Sequence, residues 1–319
     1  MGSGEVVQRS QLSRATMCNW AVKVADRLKP LMALLHQEIR SGPLINIDET
    51  PVQVLSEPGR SNTSKSYMWV YRGGDLQKPA LIYQYQPTRS GQVPLAFLNG
   101  YQGFVQTDGY TGYDLLGRQP GVSMVGCWAH ARRKFIEVIK EKSNPKKKGH
   151  ADEALDYVGR LYAIEKQAAA SGFSNEQLYH LRQDKAKPIL SEFNGWLLRM
   201  SSLTPPKGLL GKAVNYALRN WKRQIRYLDD ACLKPDNNLA ENAIRPFVLG
   251  RKNWLFSGHP NGAEASATIF SLIETAKASG LKPYEYFRFL FGKLPYAKSE
   301  EDYKKLLPQY IDPGLLVVS

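Results

Sequence analysis

The sequence predicts an α/β protein in which a mixed β-sheet is flanked by helices. Three apolar strand patterns come first along the chain, and two more then alternate with helical patterns. Strands followed by strand–helix alternation are typical of such mixed sheets. A long stretch with helical patterns and no strand pattern comes next. Because functional residues in folds of this kind lie at strand ends, polar residues that follow the strands are the first candidates for a site.

The strand patterns occupy the first half of the chain. Residues 9–40 are predicted to be helical, and residues 44–48 form a short apolar strand that ends on Asp48. Two runs rich in β-branched and aromatic residues, 67–71 and 80–85, are joined by a Gly-Gly-Asp turn and predict antiparallel strands.

The remaining strands alternate with helices. A short helix at 90–98 precedes a fourth strand over 103–109, which ends on Asp108 and exits through a glycine. A fifth strand over 122–127 leads into a helix over 129–141. This helix is basic and carries Arg132, Arg133 and Lys134.

The middle of the chain has only helical patterns. They cover 151–171, 174–202 and 209–228, and the second opens with Ser-x-x-Gln, the spacing of a capping box. Pro188 is expected to split the second helix. Two more helices follow at 263–278 and 283–291, and the tail is expected to pack loosely. These patterns predict an all-helical insertion within the α/β domain.

Composition favours a polyanionic partner. The 319 residues include 43 Lys and Arg against 29 Asp and Glu, a formal charge of +14, which favours nucleic acid first and an anionic membrane surface second. No apolar run is long enough to span a bilayer, and no secretory signal pattern is present. Cys18, Cys127 and Cys232 are widely spaced, which argues against a disulfide framework and fits a reducing, cytoplasmic setting.

Residues 234–256 predict a helix with one apolar stripe. Asp236 or Asn237 can cap its start. On the polar side, Glu241 and Arg245 are four residues apart and can pair. Pro246 is expected to kink or end the helix, so that Arg251, Lys252 and Trp254 fall in a basic turn behind it.

Asp48, Asp108 and Glu241 are the candidate catalytic residues. Two acids at strand ends and one on a helix can converge at one edge of a sheet, and hard carboxylate oxygens suit Mg²⁺ or Mn²⁺. Two such ions about 3.5–4 Å apart can activate a water or a 3′-hydroxyl and stabilise the leaving oxygen. The alternative is that both Asp residues cap turns and that Glu241 makes a solvated ion pair.

Cys127 and His130 follow the fifth strand as supporting candidates. His130 can touch a phosphate, hold a carboxylate in place, or serve only in packing. A zinc site is disfavoured there because no second pair of ligands is evident. Arg132, Arg133, Lys134, Arg245, Arg251 and Lys252 are candidate phosphate contacts. Trp254, Trp221 and Trp128 lie beside basic groups and can stack on unpaired bases, although each basic cluster alone is most often a solvated face.

Several blocks of the sequence resemble the insertion sequence 66 family of transposases. They are IDET at 47–50, TDGY at 107–110, CWAHARRKF at 127–135, DNNLAENAIRP at 236–246, LGRKNWLF at 249–256 and SLIETAK at 271–277. The resemblance covers about residues 10–292. It implies an RNase H-like fold in which Asp48, Asp108 and Glu241 form an Asp-Asp-Glu triad that binds two Mg²⁺ (or Mn²⁺) ions. It also implies hydrolysis at transposon ends and strand transfer into target DNA.

The resemblance divides the chain into five segments. They are an N-terminal helical remnant of a DNA-binding region (1–42), the first part of the catalytic core (43–142), the helical insertion (143–207), the second part of the core with Glu241 (208–292) and a tail (293–319). The family's longer N-terminal region, which recognises the element's ends, is represented only by its last residues, about 13–20. The implied partners are DNA, further copies of the chain and accessory proteins of the element.

Two other functions fit the same residues. One is a metal-dependent nuclease that cuts DNA without joining it. The other is a DNA-binding remnant whose catalysis is lost through truncation. Metal-dependent cleavage separates both enzymes from the remnant, and joining to a target separates the transposase from the nuclease.

Overall fold

The structure is a computed structural model that describes residues 12–141 and 148–316. The start of the predicted first helix (9–11) and two lysines of the basic loop, Lys146 and Lys147, lie outside the described residues. Within the described chain, the predicted mixed sheet flanked by helices is confirmed. No helix there is both long and apolar enough to cross a membrane.

The sheet contains six strands within the described residues. They are β1 (Leu44–Val54), β2 (Lys65–Gly73), β3 (Ala80–Gln86), β4 (Gly103–Gln106), β5 (Val122–Val125) and β6 (Phe256–Ser257). Their order across the sheet is β3-β2-β1-β4-β5, and β6 pairs with the C-terminal end of β1. The β1–β2 and β2–β3 pairs are antiparallel, as predicted, whereas β4, β5 and β6 run parallel to their neighbours.

Strand β1 does not end at Asp48, so this part of the prediction was wrong. It is 11 residues long and runs on to Val54, because β2 pairs with it from Asn46 to Gln53. On its other side, β4 pairs only as far as Asn46, and β6 begins at Gln53. Pro51 lies in the interval without a second strand, where a missing backbone donor is tolerated. Asp48 therefore lies on a strand just beyond the point where β4 leaves it.

Twelve α-helices are described. They are α1 (Arg14–Arg27), α2 (Lys29–Ser41), α3 (Gln92–Phe97), α4 (Trp128–Lys140), α5 (His150–Ala170), α6 (Asn175–Leu181), α7 (Lys187–Leu203), α8 (Leu209–Gln224), α9 (Asn238–Trp254), α10 (Pro260–Ala278), α11 (Pro283–Lys293) and α12 (Glu300–Lys304). The predicted capping box of Ser174 and Gln177 is present at the start of α6. A π-helical turn, Arg182–Ala186, joins α6 to α7, and Pro188 lies in the first turn of α7.

Helix α9 continues through Pro246 and does not end there. Pro246 lies inside the helix, and Arg251, Lys252 and Trp254 belong to its last turn rather than to a separate loop. Ala243 and Phe247 on either side of the proline are buried against the sheet, and the Tyr83 hydroxyl donates to the Ala243 carbonyl. Burial of this apolar stripe offsets the cost of the proline.

Three apolar clusters hold the layers together. One lies between one face of the sheet and α2, α11 and the C-terminal segment, and a second joins β5 and α4 to helices α5, α7 and α8. The third packs the other face of the sheet against α9 and α10. Ser271 and Thr275 of α10 accept hydrogen bonds from the backbone of β3, so this edge strand is covered.

The C-terminal segment packs tightly, which corrects the expectation of a loose tail. Leu306, Leu307, Ile311 and Leu316 are buried in the first apolar cluster. The Tyr286 hydroxyl of α11 also donates to the Leu306 carbonyl at 3.1 Å. The leucines were not recognised in the sequence because they lie in short turns without a helical or strand period.

Candidate active site

Alternation along β1 separates two neighbouring acids. Side chains of successive strand residues point to opposite faces. Val52 and Val54 pack with Phe247 of α9, whereas Ile47 packs in the cluster on the opposite face. Asp48, an even-numbered residue, therefore lies on the face that α9 covers, and Glu49 on the other.

The three predicted acids interact electrostatically. Burial and then the charges of Glu49, Asp108 and Glu241 raise the pKa of Asp48 to about 8, against the effect of the hydrogen bond that Asp48 accepts from the Glu49 backbone at 2.9 Å. Glu241 lies in the first turn of α9, and its side chain is 25% exposed. The site is thus a partly buried cluster of like charges that favours a proton or a cation.

Helix α8 holds the turn that carries Asp108. Asp108 lies two residues beyond β4, and its Oδ1 accepts a hydrogen bond from the Tyr110 N–H at 2.9 Å. A side chain at Gly109 would begin only 2.4 Å from the Tyr216 hydroxyl, so only glycine allows this close approach. Arg219 donates to the Gly109 carbonyl at 3.2 Å. Asp108 does cap its turn, as the alternative interpretation held, and its charge also contributes to the raised pKa of Asp48.

A buried network of three amides connects the segments that carry the acids. Asn46 Nδ2 donates to Gln106 Oε1 and to Asn237 Oδ1, each at 3.0 Å, and Asn237 Nδ2 donates to the Ile47 carbonyl at 2.8 Å. All three side chains are at most 1% exposed. Each amide lies two or four residues before one of the acids. The network therefore sets the positions of β1, β4 and the start of α9 relative to one another.

Glu49 has its own partners on the opposite face of β1. Its side chain is 2% exposed, accepts a hydrogen bond from Arg89 Nε at 2.6 Å and accepts another from the Tyr113 hydroxyl. Burial raises the pKa of Glu49, while Tyr113 and Arg89 oppose the shift. The Arg89 guanidinium lies 3.9 Å from the centre of the Tyr110 ring. These contacts place Glu49 in a structural ion pair on the opposite face of β1, although its charge also contributes to the raised pKa of Asp48.

The fold brings Cys127 and His130 to Glu241. His130 Nδ1 lies 3.5 Å from Glu241 Oε1, and Arg133 Nη2 lies 3.3 Å from both Glu241 oxygens. The ion-pair partners of Glu241 are therefore Arg133 and His130, and not Arg245, which the four-residue spacing had predicted. Cys127 is buried and accepts a hydrogen bond from the Asn237 backbone at 3.2 Å. Burial lowers the pKa of His130 and raises that of Cys127 to about 12.

The predicted DNA-binding residues separate into two groups. Arg132, Arg133, Lys134, Arg245 and Lys252 are exposed, and Arg251 is half-buried with Nη1 donating to Thr50 Oγ1 at 3.0 Å. At 100° per residue, Glu241, Arg245 and Lys252 lie within about 40° of one another on α9. They form a stripe that we call the α9 face.

The three tryptophans predicted to stack on bases differ in burial, and Trp221 and Trp254 are only partly buried. Trp128 is fully buried and donates to the Gln224 carbonyl at 3.0 Å, so the prediction that it stacks on bases was wrong. Trp221 packs edge-on against Trp128, at 5.8 Å between ring centres. Trp254 packs against Phe247, also edge-on. The more accessible ring at the end of α9 is that of Phe256, which is 45% exposed.

The sequence analysis missed the amides Asn46, Gln106 and Asn237. A signal was present for two of them, because Asn46 and Gln106 are polar residues inside apolar strands, each two positions before a candidate acid. Buried polar groups need hydrogen-bond partners, so such residues indicate a network. Arg89 and Tyr113 had no comparable signal, since their contact with Glu49 depends on the fold.

Comparison with known proteins identifies the family. A family model described as Transposase IS66 family matches residues 6–265, and a model for the IS66 C-terminal element matches residues 271–309. Three uncharacterized proteins of Sinorhizobium fredii (strain NBRC 101917 / NGR234) are similar. The protein y4jD is 34% identical over 86% of this chain and 55% of its own length, y4qI is 26% identical over 96% and 58%, and y4hP is 28% identical over 89% and 53%.

The chain spans little more than half the length of these relatives. The family match itself covers most of the chain, from before α1 to the start of α10, and includes the three acids. The separate match to the C-terminal element begins at Ser271 in α10 and ends at Gln309, within the packed C-terminal segment. The chain therefore belongs to the IS66 family of transposases.

Proposed function

We propose that this chain contains the catalytic site of a DDE transposase, which hydrolyses DNA at transposon ends and joins the freed 3′-hydroxyl to target DNA. The observation that carries the proposal is that the charges of Asp108 and Glu241 both act on Asp48, which supports a site shared by the three acids. We further propose an RNase H-like fold, which is supported by three antiparallel strands followed by two parallel ones.

The donor set fits a hard divalent cation. Asp48, Asp108 and Glu241 would hold Mg²⁺ or Mn²⁺, because carboxylate oxygens are the ligands that these ions prefer. Burial, and then the charges of neighbouring acids, raise the pKa of Asp48, so a cation would stabilise its ionised form. When bound, two such ions would activate the attacking oxygen and stabilise the leaving one.

The chain's own residues orient this site and bind the DNA backbone. Tyr110 holds Asp108 through its backbone N–H, and the amide network holds the strand of Asp48 against the start of α9. On the α9 face, Lys252 lies 11 residues beyond Glu241, about 16 Å along the helix axis. Arg245 and Lys252 are therefore placed to contact successive phosphates of a strand whose cleaved bond lies near Glu241.

The test is nicking of supercoiled plasmid in Mg²⁺ or Mn²⁺. We expect the wild-type chain to nick DNA and the isosteric variants Asp48→Asn, Asp108→Asn and Glu241→Gln to lose this activity while still binding DNA. Glu49→Gln is the matched control, because it changes an adjacent acid on the opposite face of β1. Nicking by any of the three variants at the wild-type rate would contradict the assignment of that acid.

Two further outcomes decide between related functions. Nicking without joining of a pre-cut end to a target would identify a nuclease. DNA binding without nicking would favour a chain that needs a further segment or partner for cleavage. We propose that the active form is a dimer or higher oligomer on bacterial chromosomal DNA, with accessory proteins of the same element as partners.

A further inference from the structure

A second set of metal-binding atoms lies beside the acidic cluster. Cys127 Sγ, one ring nitrogen of His130 and a Glu241 carboxylate oxygen all lie within 4.8 Å of one another. His130 Nδ1 is buried and has no hydrogen-bond partner. The sequence had disfavoured zinc at Cys127 and His130 because no further ligand was evident. The fold supplies that ligand from α9, more than one hundred residues away.

The spacing of these atoms suits tetrahedral zinc. With Zn–N and Zn–O bonds of about 2.1 Å and a Zn–S bond of about 2.3 Å, tetrahedral angles separate N from O by about 3.4 Å and S from N by about 3.6 Å. The observed separation between His130 Nδ1 and Glu241 Oε1 is 3.5 Å. Small side-chain movements would bring Cys127 into the same arrangement, with solvent as the fourth ligand.

The donor types distinguish this set from the carboxylate cluster. Thiolate and imidazole ligands favour Zn²⁺ over Mg²⁺. Cys127 occupies the N-cap of α4, where burial disfavours its thiolate and the hydrogen bond from the Asn237 N–H partly opposes this effect. A coordinated Zn²⁺ would itself deprotonate this thiol. His130 and Glu241 are 23% and 25% exposed, which leaves a path for an ion from solvent.

We infer that Cys127, His130 and Glu241 form a zinc site that competes with the carboxylate site for Glu241. Arg133 contacts Glu241 and lies 3.3 Å from His130 Nε2. Zinc on Nδ1 places the ring proton on Nε2, which then cannot accept a hydrogen bond from Arg133. The functional consequence, inhibition of Mg²⁺-dependent cleavage by Zn²⁺, rests on the proposed function, whereas the site itself does not.

Cobalt titration of the metal-free chain tests the site without any activity. We expect one equivalent of Co²⁺ to produce a thiolate-to-cobalt charge-transfer band and the intense visible bands of tetrahedral cobalt. Both should disappear in Cys127→Ser, which keeps a hydrogen-bond acceptor for Asn237, and weaken in His130→Gln. Cys232→Ser, which alters a partly buried cysteine outside the site, is the matched control. Thermal unfolding verifies that each variant is folded.

Two results would overturn the site. One is a charge-transfer band that survives Cys127→Ser or vanishes in Cys232→Ser, and the other is octahedral cobalt alone. In the nicking assay, the rate of each variant with Zn²⁺ is divided by its own rate in Mg²⁺ alone. We expect Cys127→Ser to raise the Zn²⁺ concentration that gives half-inhibition at least about 10-fold above the wild-type value. An unchanged value would refute the competition. Absence of nicking by the wild type would count against the proposed function, while the cobalt spectra would still decide the zinc site.

Discussion

Replacing Asn237 by alanine removes the side chain that joins β1 to the start of α9. Asn237 is 1% exposed, accepts a hydrogen bond from Asn46 Nδ2 at 3.0 Å and donates one to the Ile47 carbonyl at 2.8 Å. The substitution leaves one buried N–H of Asn46 and one buried carbonyl without these partners. The backbone N–H of residue 237 still reaches Cys127, so the effect belongs to the side chain.

The expected loss of stability follows from these two groups. A buried polar group that loses its partner costs about 1–3 kcal/mol, so Asn237→Ala should lower the free energy of unfolding by about 2–6 kcal/mol. The variant also loosens the start of α9, four residues before Glu241. A displacement of about 1 Å in a catalytic group can reduce a rate about 100-fold, and we expect a loss of nicking of that order.

Urea unfolding and plasmid nicking would be measured on the same preparations, at a temperature where each protein is folded. Ser271→Ala is the control, because Ser271 is also fully buried and its loss orphans the Tyr83 N–H on β3, the far edge of the sheet. It should reduce stability by about 1–3 kcal/mol and leave nicking nearly unchanged. If Asn237→Ala nicks DNA as well as Ser271→Ala does, the amide network does not position the acids.

Three further predictions concern charge. Because the folded pKa of Asp48 is about 8 and the unfolded value 3.8, the folded state binds more protons between them, so its stability falls as pH rises through that range. In the presence of a chelator, Asp48→Asn should therefore have a higher unfolding temperature than the wild type at pH values above the folded pKa, and this difference should vanish near the unfolded pKa. A difference that is the same at every pH would contradict the pKa shift. Arg182 is fully buried in a bidentate pair with a carboxylate of α5. Arg182→Leu should lower the free energy of unfolding, measured in urea, by about 3–5 kcal/mol, whereas Arg199→Leu at an exposed position should lower it little. Arg245→Ala should reduce the slope of log affinity for DNA against log salt by about 0.9, and Lys298→Ala in the C-terminal segment should not; equal slopes would remove Arg245 from the interface.

The sequence by itself determined most of the secondary structure and the order of the candidate acids. The apolar stripe of α9, the antiparallel β2–β3 pair and the strand before Asp108 all follow from residue periodicity over a few neighbours. The capping box at Ser174 was also predicted correctly, because its Ser-x-x-Gln spacing is likewise a local signal. The catalytic roles of Asp48, Asp108 and Glu241 rest on this pattern and on the family, and they stay a prediction.

Tertiary structure alone decided which of these residues meet. Pairing with β2 carried β1 past Asp48, and burial against the sheet kept α9 helical through Pro246. The partners of Asn237 lie about 190 residues away in the chain, and those of Glu241 about 110 residues away. No local pattern contains such pairs, because their energies depend on burial and hydrogen bonding that exist only after the chain has folded. The sequence therefore determines the elements and their chemistry, and packing determines which side chains share a site.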